Sequence, residues 1–306
     1  MLSPSLSIGT IGDSLAGDFS AGDSFPGKPP FLQGLWIYPI KSLDGLFLPS
    51  VSITSGGSLK NDRRWAIVDE QGQWVNGKRE PRLHLIRCQY PGSDRETVDQ
   101  VCLEAPGQGM AVFSLENDRS GLAQWLSDYL GQSVHLIENL DQGFPDDTRS
   151  PGPTIVTEAT LSLVSQWLHL SLDNVRQRFR ANLELGFEPN RMESAFWEDR
   201  LFGATGEERC FSIGAVHFVG VNPCARCVVP TRDPQTGAVY PQFVRQFTQY
   251  RRATLPPWVN LDRFENPYRL TVNTRIDPTS VGQTLTMGDS VTIGARVSTS
   301  SESPRD

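Results

Sequence analysis

The feature that most constrains this chain is the shortness of its apolar runs. From residue 31 onward, "LWIYPIKSL", "VSITSGG", "LHLIRCQY", "QVCLEAP", "MAVFSLEN" and "SVHLIEN" follow one another, each ending in turn-forming residues. Runs this short, several of them alternating apolar and polar, favour strands over helices. "RWAIVDEQGQWVNG" reads as two strands joined by a turn at residues 70–72. The 27 glycines and 22 prolines supply the turns such a chain needs. Helical periodicity is clear in two places. Over 119–130, Leu122, Trp125, Leu126, Tyr129 and Leu130 share one face and Gly131 stops the run. Over 158–169, Leu161, Val164, Trp167 and Leu168 share a face behind Thr157, a helix-capping residue type. A further helix is expected over 241–253. The predicted fold is β-rich α+β, built of barrel-like domains with a few helices.

The polar stretch "NLDQGFPDDTRSPGP", residues 139–153, divides the chain. An N-terminal domain is expected over 31–145 and a second over 150–295, with mobile tails at 1–30 and 296–306. In the second half "TIVT", "QRFRANLELG", "RCFSIGAVHFVGV", "CVVPTRD", "YRLTVNTRI" and "LTMGDSVTIG" read as strands.

Composition narrows the function classes. The net charge is −7 and the 28 Lys and Arg are scattered, so no surface that tracks a nucleic-acid backbone is expected. No stretch approaches the roughly 18 apolar residues of a membrane span. The first thirty residues lack the basic and apolar regions of a secretory signal, and Asp13, Asp18 and Asp23 are unlike a transit peptide. Five cysteines, an odd number in a long chain, point to a reducing cytoplasm rather than a disulfide framework. Cys88 and Cys102, in apolar runs, are expected to be inert core residues.

"VGVNPCARCVVPTRDPQTG" carries the chemistry, with Cys224 and Cys227 three apart. A structural zinc site needs four ligands and no second pair is present; Cys210 and His217 are the available candidates but fit no knuckle spacing. A redox dithiol would open a helix, which "CVVPT" disfavours. Two buried thiols are the plain alternative. Asn222 and Pro223 before the pair and Arg226 inside it favour a turn with a cation beside a thiol, and a thiolate is a soft metal ligand. Elsewhere Lys41 and Ser42 follow a strand, Arg63 and Arg64 precede one, and "FRAN" puts Arg180 and Asn182 on alternate positions of one strand, hence on one face. Together these donors suit a phosphate.

"LWIYPIKSLDG", "NDRRWAIVDEQGQWVNGKREPRL", "FRANLEL…FWED" and "NPCARCVVPTRDPQTG", with the late "LTMGDSVTI", resemble the MOSC family from about residue 31 to 295. That resemblance implies an N-terminal MOSC β-barrel domain followed by a MOSC domain. The family includes the mitochondrial amidoxime-reducing component and the C-terminal part of molybdenum cofactor sulfurase. It implies a Mo–molybdopterin cofactor with Cys227 as the metal ligand and catalytic thiolate. It also implies cofactor contacts from Lys41, Ser42, Arg63, Thr157, Arg180, Asn182, Ala225 and Arg226. Two positions depart from the usual pattern: Ala181 stands where proline is usual, and Ala225 where a relative has serine.

The implied activity is a two-electron reduction that removes oxygen from an N-hydroxylated substrate and releases water. Electrons would come from a separate redox protein: no plant-type iron–sulfur run and no dinucleotide-binding glycine pattern occurs in the chain. The competing reading is a molybdenum-cofactor or sulfur carrier that works with a pyridoxal-phosphate cysteine desulfurase.

Overall fold

The computed structural model describes residues 29–298 apart from 93, 95, 96 and 189–194. The expected N-terminal tail therefore lies almost wholly outside the described residues, as do residues 299–306. Residues 296–298, assigned to a tail, instead continue the last strand.

In chain order the strands and helices are β1 (Phe31–Ile37), β2 (Leu46–Phe47), β3 (Ser50–Ser52), β4 (Trp65–Asp69), β5 (Arg87–Gln89), β6 (Gln100–Ala105), β7 (Gly109–Ser114), α1 (Arg119–Leu130), β8 (Val134–Glu138), β9 (Ile155–Thr157), α2 (Glu158–Leu168), α3 (Leu172–Phe179), β10 (Leu183–Gly186), β11 (Glu207–Ile213), β12 (Val216–Ala225), α4 (Phe243–Ala253), β13 (Arg269–Ile276), β14 (Thr284–Thr286) and β15 (Val291–Ser298). The fold is β-rich. One eight-stranded sheet runs β15-β11-β12-β13-β9-β10-β1-β2, and three smaller sheets pair β14 with β3, β4 with β8, and β5, β6 and β7 in order.

The ladder crosses the expected boundary. β1 pairs antiparallel with β10, Leu35 opposite Leu183, and β14 pairs with β3, Leu285 opposite Val51. One apolar core follows the same path, joining Leu32, Leu35 and Trp65 to Leu183, Phe211 and Ile293. A second, aromatic core fills the space among α2, α3 and α4, around Trp167, Phe179, Phe243 and Phe247.

The periodic helices form where their caps lie. Asp118 accepts from Gly121 N–H at 3.1 Å to open α1, and Gly131, at φ 60°, closes it. Two of the strand expectations that are overturned bear on the site. "QRFRANLELG" is helical as far as Phe179, because Ser171 caps α3 through Asn174 N–H at 3.1 Å and Val175, Arg178 and Phe179 share its buried face. Arg180 ends that helix at φ 51°, so it and Asn182 are not alternate residues of one strand; β10 begins only at Leu183. "CVVPTRD" is no strand either, for Val229–Thr231 forms a 3₁₀ turn around Pro230.

β12 is the strand that carries the cysteine motif. Its register against β13 slips twice, between Gly220 and Asn222 and between Pro223 and Ala225. Such bulges bend a strand and re-aim its side chains. Gly220 is packed so closely on the Leu201 carbonyl that a Cβ has no room. Proline at 223 removes one ladder donor at the same place.

Candidate functional site

Residues of both halves line a cleft of about 830 Å³. The loop after β1, the turn before β4, residues 145–154, the end of α3, the end of β12 and the start of β13 all reach it. Lys41, Ser42, Arg63, Arg180, Asn182, Ala225, Arg226 and Cys227 are among the lining residues, so these sequence-predicted positions converge.

Each is held by a specific contact. Lys41 Nζ donates to the Phe144 carbonyl at 2.8 Å and pairs with Asp146 Oδ1 at 2.9 Å. Burial pushes the Lys41 ammonium down, and the Asp146 carboxylate partly offsets it. Ser42 sits at φ 77° and its Oγ accepts from Gly77 N–H at 3.2 Å. Arg63 pairs with Asp62 and reaches Asn182 Oδ1 at 3.4 Å. Asn182 Nδ2 in turn donates to the Trp36 carbonyl at 3.1 Å, and Oδ1 accepts from Thr154 N–H at 3.2 Å. The Asn182 amide thus ties β1 to the entry of β9.

Tyr38 lies between the two arginines. The Arg180 guanidinium stands 4.2 Å from the ring centroid and that of Arg63 5.4 Å. Tyr38 Oη donates to the Ala181 carbonyl at 3.2 Å. Burial pushes its phenol up to about 12, against the pull of Arg180 and Arg63, so the ring stays neutral beside both cations.

At the end of β12, Arg226 Nη2 donates to the Phe179 carbonyl at 2.7 Å, and Nη1 faces Cys224 Sγ at 3.4 Å. The cation expected beside a thiol therefore touches Cys224 rather than Cys227. Cys227 is fixed through its backbone, its carbonyl accepting from Tyr268 Oη at 3.1 Å. Among the described residues no group of three His, Cys, Asp or Glu side chains is placed to hold a metal ion. Cys88 and Cys210 are buried, while Cys102, expected in the core, is only half-buried.

Backbone strain gathers here. Ser42, Arg63 and Arg180 line the cleft with φ between 50° and 77°. Thr271, at φ 71°, offers its Oγ1 to Arg226 Nη1 at 3.5 Å. A β-branched residue in that region is an outlier, and such strain collects at ligand sites.

Thr157 does not join the group. It is buried at the start of α2, where its Oγ1 accepts from Thr160 N–H at 3.3 Å and donates to Glu198 Oε2 at 2.8 Å. Thr154, three residues earlier, lines the cleft instead. Arg87, Arg232 and Arg269 also line it and were not singled out by sequence. Arg269 arrives only through pairing with Ala225 across β12 and β13, for which the sequence carries no local signal.

The donor set asks for an acceptor. The Nε–H groups of Arg87, Arg226, Arg232 and Arg269 are buried without a partner among the described residues, and all four arginines line the cleft. An unsatisfied buried donor costs about 1–3 kcal/mol. Their positive charges add to the lining of the cleft and favour an anionic occupant.

Comparison with known proteins agrees with this picture. Residues 30–133 match the MOSC N-terminal beta barrel domain. Mitochondrial amidoxime reducing component 2 of Homo sapiens is 27% identical over 245 residues, covering 67% of each chain. Mitochondrial amidoxime-reducing component 1 of Mus musculus is 29% identical over 230 residues, covering 66% of each chain. Molybdenum cofactor sulfurase of Bos taurus is 28% identical over 243 residues, covering 67% of this chain but 27% of the sulfurase. With a cleft assembled from the motifs that carry the likeness, this chain carries a match to the MOSC N-terminal beta barrel domain and is similar to the amidoxime reducing components and to part of the cofactor sulfurases.

Proposed function

We propose that the cleft binds a Mo–molybdopterin cofactor and that the protein is a molybdenum-dependent reductase of N-hydroxylated substrates. The observation that carries this reading is the convergence of Lys41, Ser42, Arg63, Arg180, Arg226 and Cys227 on one cleft, whose lining also holds Arg87, Arg232 and Arg269. Lys41, Ser42 and Arg63 hold the anionic end of the cofactor. Arg180 and Arg226 give it further donors, and Ala225 leaves space beside them. Cys227 contributes one soft sulfur ligand, the number expected where a pterin dithiolene supplies the others. Bound there, the cofactor supplies the two-electron chemistry that turns an N–OH group into N–H and water. Tyr38, neutral between two cations, keeps Arg63 and Arg180 apart and aimed into the cleft.

Electrons reach the site from a separate redox protein. The five cysteines are dispersed, with one close pair, and no C-x₄-C-x₂-C run occurs. The likeness to the sulfurase supports a second reading, a carrier of cofactor or sulfur that works with a cysteine desulfurase. The two part on activity. Molybdenum-loaded protein is expected to reduce benzamidoxime with reduced viologen dye and to do nothing with NADH or NADPH alone. Turnover on a nicotinamide alone would refute the separate donor. Inactivity with both, at full molybdenum content, would favour the carrier.

A further inference from the structure

The cations of the cleft fall into two sets. Most are already spoken for within the protein: Lys41 by Asp146, Arg63 by Asp62, Arg176 by Glu184, and Arg178 by Asp233 and two carbonyls. Arg232 differs. Among the described residues its guanidinium makes no hydrogen bond or ion pair, and its Nε is buried. Its backbone, by contrast, is clamped, since its carbonyl accepts from Arg178 Nη1 at 2.6 Å and its N–H donates to Val229 at 3.0 Å. A fixed backbone with an unemployed guanidinium is preorganised for an acceptor from outside the protein.

Arg87 stands opposite, from the N-terminal half. Its Nη2 donates to the carbonyls of His84 at 2.6 Å and Pro234 at 2.8 Å, which brings β5 against the turn that carries Arg232. Its Nη1 faces Asp44 Oδ2 at 3.3 Å, and Asp44 is shared, because it also accepts from Cys88 N–H at 3.0 Å. Arg87 Nε has no partner. His84 lines the same cleft, and its Nε2 is 3.3 Å from the Gly77 carbonyl. Burial pushes the His84 imidazole down; the Gly77 carbonyl opposes this, and the charges of Arg180, Arg232 and Arg87 add to it.

This corner is adjacent to the metal-ligand candidate. Arg232 follows Cys227 by five residues through the Val229–Thr231 turn, and both line the cleft, which has room for a small aromatic molecule.

We propose that Arg87 and Arg232, one from each half of the chain, form a second anion subsite beside Cys227, and that the substrate carries a fixed oxyanion, such as a carboxylate, which this pair holds. Arg232 offers the free guanidinium donors that match a carboxylate or phosphate oxygen, and Arg87, held by its own partners, adds positive charge beside it. The subsite itself stands on the geometry; the statement about substrate rests on the reductase reading. A second phosphate on an extended, dinucleotide form of the cofactor would use the same chemistry, so the test separates the two.

The probe is benzoate, titrated into molybdenum-loaded protein and followed by the His84 ring signals in NMR. Benzoate is expected to shift those signals with saturation. Arg232→Ala should weaken its binding about tenfold or more and Arg232→Lys by less. Since the Arg232 side chain has no partner in the fold, its removal should not lower the melting temperature. In turnover, wild type should prefer 4-carboxybenzamidoxime to benzamidoxime in kcat/KM, through KM, and Arg232→Ala should erase the preference. Equal benzoate binding by wild type and Arg232→Ala would overturn the subsite. Two phosphates per molybdenum in cofactor released from the protein would overturn the assignment to substrate. Benzoate binding lost in Arg232→Ala, with no amidoxime reduction by either protein, would keep the subsite and remove the reductase reading.

Discussion

Arg251, on α4, and the arginines of the cleft both carry nitrogens that no protein acceptor reaches, yet their surroundings differ. Arg251 is 1% exposed and pairs with Asp199 Oδ2 at 2.5 Å. Its unpartnered Nε and Nη1 lie in a guanidinium 3.6 Å from the Phe196 ring centroid and 4.7 Å from that of Phe264. Aromatic faces take the place of acceptors there, and the site is closed. Arg87, Arg226, Arg232 and Arg269 instead line an open cleft of about 830 Å³. A buried charge with its own counterion and ring contacts holds a fold together. A half-buried one in the lining of a cleft can also serve a ligand. The two regions should therefore fail in different ways when cut.

The largest effect is expected at the closed site. Arg251→Met leaves Asp199 buried without its partner, and breaking a buried pair costs about 3–5 kcal/mol of stability. Urea unfolding measures it; a loss under about 1 kcal/mol would mean that the pair is not structural.

Glu198 follows. Its Oε2 accepts from Thr157 and Thr160, and burial, with Asp199 adding, pushes its carboxyl up to about 7. The folded state then holds a proton that the unfolded chain gives up near pH 4.5. Stability from this group is full below about pH 4.5 and falls as pH rises through about 7. The shift corresponds to roughly 3 kcal/mol. Glu198→Gln should flatten that fall and be more stable than wild type at pH 8, with molybdenum content unchanged. Parallel pH–stability curves for the two proteins would show that Glu198 is ionised in the fold.

Thr157 sharpens the border between the regions. If its hydroxyl serves only α2 and Glu198, Thr157→Ala should cost about 1–2 kcal/mol of stability and leave molybdenum content unchanged. Loss of molybdenum at unchanged stability would return Thr157 to the cofactor site. The smallest effect belongs to the open cleft, where Arg232→Ala should alter stability by less than about 0.5 kcal/mol while altering ligand binding. A larger destabilisation would mean that Arg232 is structural.

How much of this was legible in the sequence depends on the range of the interaction. α1 and α2 were readable because Leu122, Trp125 and Leu126, or Leu161, Val164 and Leu168, repeat within one segment and the caps sit beside them. The cysteine motif and the Lys41 and Arg63 loops were readable for the same reason. α3 was misread because "QRFRAN" alternates like a strand, while the Ser171 cap and the apolar floor of Phe243 and Phe247 decide for a helix. Thr157 was read as a cap and also as a cofactor contact, and only the first matches its place. Arg87, Arg232 and Arg269 were missed because each becomes a cleft residue through distant partners: Pro234, Arg178 and Ala225. The separation into two domains hides that β1 and β2 complete a sheet whose other six strands begin more than a hundred residues later.

The central claim is that Cys227, and not its neighbour Cys224, is the protein's metal ligand in an oxyanion-binding cleft. The direct measurement is bound molybdenum in purified Cys227→Ser and Cys224→Ser, produced side by side with wild type. Near-stoichiometric metal in wild type and Cys224→Ser, with little in Cys227→Ser, is the expected result. Equal loss in both variants, or loss only in Cys224→Ser, where Arg226 faces the sulfur at 3.4 Å, would contradict it.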